Sequence, residues 1–199
     1  MQKFSDKIFL SPPALGGDEI KYICKAIESN WIAPAGPHIE NFEEKMKKYL
    51  NRSYAAALSS GTAALHLALS VLNVNKGDLV FCSDLTFVAS PNAINYIGAK
   101  PVFIDSDLSS WNMCAKSLDK AFKTYLPKAV IVTDIYGQSA NYKDLVDICS
   151  KYSVPIIEDS AESLGAEYYK KKCGSFGEIS ILSFNGNKII TTSGGGMIL

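Results

Sequence analysis

Strand-like and helix-like patterns alternate along this chain from about residue 60 onward, and this alternation limits the folds that it can adopt. Short apolar runs rich in β-branched residues predict strands, whereas Ala- and Leu-rich or 3.6-periodic stretches predict helices. The predicted helices cover residues 63–72, 90–97, 117–125 and 142–152, and the predicted strands cover 79–82, 101–104, 129–133, 155–158 and 179–184. This order favours a three-layer α/β fold, in which a mostly parallel sheet carries helices on both faces.

The first forty residues follow a different pattern. Pro-Pro and Gly-Gly pairs and the segment 34–37 (PAGP) surround one helical stretch at 18–29. Such turn-rich sequence predicts an arm packed on a domain, or a loop at the edge of its active site. We therefore divide the chain into an arm and loop at 1–40 and a large domain at 41–199.

The composition excludes several classes of protein. The chain has 20 Lys+Arg and 20 Asp+Glu, so its net charge of zero argues against nucleic-acid binding through bulk charge. No apolar run approaches the roughly 18 residues that a membrane span needs, and residues 1–10 (MQKFSDKIFL) lack the long apolar stretch of a secretory signal. The five cysteines are scattered and never form a Cys-x-x-Cys pair. They predict reduced thiols in a cytoplasmic protein, without a disulfide framework or a metal site.

Two of the predicted helices begin with serine-containing sequence. Ser90 is the predicted N-cap of the 90–97 helix, with Pro91 at the first helical position. The SSGT sequence that contains Gly61 and Thr62 precedes the 63–72 helix. A helix start offers free N–H groups and a positive dipole end, so SSGT is either a phosphate site or an ordinary helix cap.

Two further polar residues follow predicted strands, and ligands of parallel sheets bind beyond the carboxyl ends of the strands. Asp159 could serve as a metal ligand, a cap or a counter-ion for a cationic heterocycle. Lys188 lies in a polar turn after the last predicted strand, where it is either a nucleophile or a solvated charge. Pyridoxal phosphate (PLP) requires this combination of parts: N–H donors for its phosphate, a carboxylate for its ring nitrogen and an amine for its aldehyde.

Five stretches, taken in order, resemble the DegT/DnrJ-type sugar aminotransferases, which are PLP-dependent enzymes of the aspartate aminotransferase fold. They are residues 60–69 (SGTAALHLAL), 85–90 (LTFVAS), 99–105 (AKPVFID), 157–166 (IEDSAESLGA) and 183–197 (SFNGNKIITTSGGGM). The resemblance implies that the large domain binds PLP. It also implies a smaller C-terminal domain outside this sequence, so that the chain is expected to be a fragment.

The resemblance also implies roles for single residues. Lys188 would bond covalently to the cofactor and move protons, and Asp159 would pair with the ring nitrogen. Gly61, Thr62 and Ser183 would hold the phosphate.

Two further positions of the pattern remain open. Phe87 would stack on the ring, although an aromatic residue there could equally belong to the core. Glu162 stands where many relatives carry Gln or His near the ring hydroxyl, and a carboxylate would have to share or carry a proton there.

The resemblance implies an enzyme that transfers an amino group from glutamate to a nucleotide-linked 4-keto-6-deoxy sugar in bacterial glycan synthesis, and that acts as a homodimer. The segment 185–196 (NGNKIITTSGGG) is similar to enzymes that aminate C4 of a UDP-linked 4-keto-6-deoxy-N-acetylhexosamine. Lys188 favours amination, since relatives that remove a hydroxyl group carry His there. The alternatives are amination at C3, and a binding or regulatory protein of the same fold without turnover.

Overall fold

The structure is a computed structural model that describes residues 12–199; residues 1–11 of the predicted arm lie outside it. The helices are α1 (Glu19–Glu28), α2 (Pro37–Leu50), α3 (Gly61–Val71), α4 (Ala89–Tyr96), α5 (Ala115–Phe122) and α6 (Tyr142–Lys151). The strands are β1 (Ala56–Leu58), β2 (Leu79–Ser83), β3 (Lys100–Ile104), β4 (Ala129–Thr133), β5 (Ile156–Asp159), β6 (Glu167–Tyr168), β7 (Lys171–Lys172), β8 (Ile179–Ser183) and β9 (Gly196–Ile198). A 3₁₀ turn follows β4 at Ile135–Gly137.

The described residues form a seven-stranded sheet in the order β1-β9-β8-β5-β4-β2-β3, beside a separate β6-β7 hairpin. Neighbouring strands from β8 to β3 are parallel. Strand β9 is antiparallel to both of its neighbours. The predicted mostly parallel α/β sheet is therefore confirmed.

Helices cover both faces of the sheet, because successive strand residues point to opposite sides. On one face, Val80 and Cys82 of β2 pack in the cluster that holds the apolar residues of α3 and α4. On the other face, Phe81 packs with those of α5 and α6. Helix α2 lies on this second side, where Leu50 meets Leu182 of β8.

This topology brings several chain segments to one edge of the sheet. Strands β4, β5 and β8 run parallel and end at Thr133, Asp159 and Ser183. Helix α3 begins beside them, so close that a Cβ on Gly61 would lie 3.0 Å from the Cβ of Ser183. A side chain at position 61 would have to displace Ser183, so glycine permits the close approach of the α3 start to the end of β8.

The structure corrects one predicted helix start. Helix α4 has Val88 rather than Ser90 at its N-cap position, and Ser90 lies inside the helix with a fully buried side chain. Its hydroxyl donates a hydrogen bond to the carboxylate of Asp159, 69 residues away, and does not cap the helix. Helix α2 begins with Pro37 and crosses the division expected between residues 40 and 41. Among residues 12–199, no helix is long and apolar enough to cross a membrane.

Candidate active site

A cleft of about 340 Å³ lies beyond the carboxyl ends of β4, β5 and β8. Every site residue predicted from the sequence contributes to its wall: Gly61, Thr62, Phe87, Asp159, Glu162, Ser183 and Lys188. The volume is in the range of small-molecule sites. Residues that are up to 127 positions apart in sequence thus meet around one space.

One wall of the cleft is the start of helix α3. Ser60 is the N-cap, and its hydroxyl accepts a hydrogen bond from the N–H of Ala63 at 3.1 Å. The N–H groups of Gly61 and Thr62 have no acceptor within this helix, since the first turn precedes the ladder of hydrogen bonds. The positive helix end and these donors suit an anion such as a phosphate. Ser183 adds a hydroxyl on the same wall.

Asp159 forms the floor of the cleft and is only 4% exposed. Among the described residues it accepts hydrogen bonds from the Ser90 hydroxyl at 2.9 Å and from the N–H of Ala161 at 3.2 Å. Burial raises the pKa of Asp159, while these two hydrogen bonds and the charge of Lys188 act in the opposite direction. The structure therefore contains a buried carboxylate with acceptor capacity left for a cationic ligand.

Lys188 and Glu162 face each other in the cleft. The Nζ of Lys188 lies 3.2 Å from Oε1 of Glu162, and both side chains are largely shielded from water. The other carboxylate oxygen, Oε2, accepts a hydrogen bond from the N–H of Tyr136 at 2.7 Å. Tyr136 lies in the 3₁₀ turn after β4 with a φ of 51°. The turn thus fixes Glu162, which in turn holds the lysine.

Phe87 stands at the rim of the cleft. Its side chain is 68% exposed, so the alternative that it belongs to the core is wrong. An exposed aromatic face beside a cavity can stack on a planar ligand.

Two participants in this geometry were absent from the sequence-based set of site residues. The Ser90 hydroxyl and the Tyr136 N–H each hold one of the cleft carboxylates. A serine inside a helix and a backbone N–H in a turn carry no distinctive sequence signal, so contacts between distant segments were needed to find them.

The chain matches the DegT/DnrJ/EryC1/StrS aminotransferase family over residues 13–199. It belongs to this family. The resemblance drawn from the five sequence stretches is thereby confirmed.

Individual relatives agree with the family assignment. EpsN of Bacillus subtilis (strain 168), provisionally named a pyridoxal phosphate-dependent aminotransferase, is 53% identical over 97% of this chain and 51% of its own length. The GDP-perosamine synthase of Escherichia coli O157:H7 is 40% identical over 94% of this chain and 51% of its length. This chain therefore spans about half the length of these relatives.

A solved structure shows the same fold. It is a provisionally named sugar aminotransferase, Spr1654 from Streptococcus pneumoniae, in its PLP form, with a TM-score of 0.88 and 29% identity. The similarity covers 97% of this chain and 53% of that one.

Proposed function

We propose that this chain is the cofactor-binding part of a PLP-dependent aminotransferase that transfers an amino group from glutamate to a nucleotide-linked 4-keto-6-deoxy sugar. The observation that carries the proposal is the convergence of the α3 start, Asp159 and Lys188 on one cleft. Each would meet a different chemical requirement of PLP, and all three line the same cleft. Family membership and the names of the relatives also support an aminotransferase.

The residues of the cleft fit the three polar parts of the cofactor. The N–H groups of Gly61 and Thr62, with the Ser183 hydroxyl, would hold the phosphate. Asp159 would bind the protonated ring nitrogen, and Phe87 would cover a ring face. When bound, PLP withdraws electrons from the carbon next to the reacting nitrogen.

Lys188 is the proposed acid and base of the reaction. Its Nζ is the amine in the cleft that would bond to the cofactor and, once released, carry a proton to or from the substrate carbon. Glu162, 3.2 Å away, would hold this amine in place and stabilise it when it is protonated. The structure thus supports a positioning role for Glu162, whose place in the site the sequence left open.

The identity of the substrate rests on family resemblance. The GDP-perosamine synthase name supports a nucleotide-linked sugar. Amination at C4 is proposed from the similarity of segment 185–196 to C4 aminotransferases, and amination at C3 is the alternative. The glutamate donor, the homodimer, the cytoplasmic location and the completion of the site by a smaller C-terminal domain belong to the same proposal.

Absorbance spectroscopy tests the cofactor assignment. Addition of PLP to the wild-type chain should produce a band near the visible region that differs from free PLP. Lys188→Ala should lack this band, whereas Lys170→Ala, at an exposed turn, should retain it. A band of equal strength in Lys188→Ala would contradict the proposed role of Lys188.

A second assay separates an enzyme from a binding protein. Glutamate should convert the bound cofactor to its amino form and release 2-oxoglutarate, in a chain extended to the full length of the relatives if necessary. Amination of 4-keto and 3-keto sugar nucleotides can then be compared by mass. A full-length protein that binds PLP on Lys188 and converts no amino donor would favour the regulatory alternative.

A further inference from the structure

The buried side of Asp159 is contacted by a hydroxyl group from helix α4. Ser90 has no exposed surface, and its Oγ lies 2.9 Å from Oδ2 of Asp159. Asp159 is itself nearly buried at the end of β5. A serine hydroxyl in such a place has lost its water and is fixed in one arrangement by its protein partners.

The hydroxyls of Thr86 and Thr133 link Ser90 to the cleft through hydrogen bonds. The Oγ1 of Thr86 lies 3.3 Å from the Oγ of Ser90 and 2.9 Å from the Oγ1 of Thr133. Thr133 ends β4 and lines the cleft. The three hydroxyls and the carboxylate therefore form a continuous row of hydrogen-bonded groups.

The ionised carboxylate fixes the direction of this row. A carboxylate only accepts, so Ser90 gives its single proton to Asp159. Ser90 can then only accept from Thr86, which in turn accepts from Thr133. Each donor polarises the next, which makes the last hydrogen bond stronger than an isolated one.

We propose that Ser90 is a positioning residue whose hydroxyl, supported by Thr86 and Thr133, keeps the Asp159 carboxylate ionised and oriented towards the ligand in the cleft. The proposal deepens the proposed function, because the ligand in question is the cationic ring nitrogen of PLP. Ser90 acts on this ligand only through Asp159.

The charges around Asp159 explain why a neutral donor matters there. Lys188 favours the ionised carboxylate, whereas Glu162 opposes it. These two are paired with each other, so their effects on Asp159 partly cancel. Burial favours the protonated acid, and Ser90 and the Ala161 N–H are the hydrogen-bond donors that counteract it among the described residues.

The titration of Asp159 in the chain without PLP tests the proposal independently of the cofactor. The carboxyl carbon can be followed by ¹³C NMR in wild type, Ser90→Ala and Ser180→Ala. Ser180 is the matched control because its buried hydroxyl donates to the adjacent carboxylate Glu158 at 3.0 Å. In Ser90→Ala the proton affinity of Asp159 should rise about tenfold, as expected for loss of a hydrogen bond to a charged group. Ser180→Ala should change it less than about twofold.

A second variant keeps the test decisive if Ser90→Ala fails to fold. Thr86→Val removes the preceding hydroxyl with little change in shape and should raise the proton affinity of Asp159 about two- to threefold. An Asp159 titration that is unchanged in the variants that fold would overturn the proposal. An equal shift in Ser180→Ala would overturn it as well.

The affinity of the Ser90→Ala variant for PLP provides a second test of the role of Ser90. If Asp159 binds the ring nitrogen, Ser90→Ala should weaken PLP binding about tenfold near neutral pH, and the loss should be smaller at higher pH, where Asp159 ionises again. A wild-type chain that forms no Lys188 adduct would refute the proposed function, whereas the NMR titration would still decide the role of Ser90.

Discussion

Glu158 and Asp159 are neighbours on β5 and are almost equally buried, yet they serve different regions. Glu158 points away from the cleft, where it accepts hydrogen bonds from the N–H groups of Gly174, Phe176 and Gly177 and from the Ser180 hydroxyl. Asp159 points into the cleft and has two such donors among the described residues. The number of acceptor positions left open, rather than burial, separates a structural carboxylate from one available to a ligand.

The region around Glu158 contains a second buried acid. Ligand atoms of Asp134, Glu158 and Cys173 lie within 4.8 Å of one another, a spacing that a metal ion could bridge. However, Asp134 accepts hydrogen bonds from the Ala140 N–H and from the hydroxyls of Tyr142 and Ser163. These donors occupy the carboxylate oxygens, so the cluster fits a role in holding the loop after β4.

Removal of the Glu158 carboxylate should cause the largest loss of folding stability. Glu158→Ala leaves two buried N–H groups and one partly buried N–H group without their acceptor, and it removes the nearby negative charge from the half-buried Arg52. We expect a loss of about 3–5 kcal/mol in the free energy of unfolding, measured with urea. Asp159→Asn, which keeps the size of the side chain, should lower the free energy of unfolding by less than about 1 kcal/mol. Equal losses in both variants would remove the distinction between the two carboxylates.

The Asp134 carboxyl should make stability depend on pH. Burial and the neighbouring Glu158 raise the pKa of Asp134 to about 7. In the unfolded chain its pKa is about 3.9. Between these values the folded state holds a proton that the unfolded state has released, so stability should fall as pH rises from about 4 to 7, by up to about 1.4 kcal/mol per pH unit. Asp134→Asn should flatten this slope in urea titrations, and an unchanged slope would contradict the assignment.

The cofactor affinity should depend on Asp159 alone of the two β5 carboxylates. Asp159→Asn keeps the shape of the side chain and removes its charge, so binding of PLP should weaken about tenfold to a hundredfold. The affinity can be measured by absorbance or fluorescence titration. Ser180→Ala is the comparison variant, and a similar loss of affinity there would contradict the separation of the two regions.

The smallest effect concerns Ser180 itself. Loss of its hydrogen bond to Glu158 should lower the free energy of unfolding by about 1–2 kcal/mol, since one buried acceptor loses one of several donors. Thermal or urea unfolding measures this change. A stability equal to wild type would show that the remaining donors satisfy Glu158 without Ser180.

The sequence was sufficient for the parallel strands of the sheet and for the helices that connect them. The predicted strand at 129–133 has the observed bounds, and the helix at 142–152 is one residue too long, because apolar runs and helical periodicity act locally. Helix α2 and the short strand β1 were not predicted. Gly61, Thr62, Asp159 and Lys188 were candidates from their places at the ends of predicted elements, and family resemblance added the other three site residues. Their meeting in one cleft follows from the parallel strands. Their chemical roles remain predictions.

Long-range partners were the part that the sequence could not supply. Ser90 has the local pattern of a helix cap, and only its contact with Asp159 shows that its hydroxyl is used elsewhere. Glu158 and Asp159 differ because the strand turns them to opposite faces, towards different loops. The direction of each side chain, and the loop that it contacts, are set only when the strands assemble into the sheet. A local sequence pattern therefore does not predict them.

Peptide mapping after borohydride reduction shows whether Lys188 carries the cofactor and whether Asp159 helps to hold it there. The wild-type chain is incubated with PLP, reduced, digested and analysed by mass spectrometry. We expect the reduced cofactor on Lys188, at a level that falls in Asp159→Asn and remains unchanged in Ser180→Ala. Attachment mainly to other lysines, or equal labelling of Lys188 in all three proteins, would contradict it.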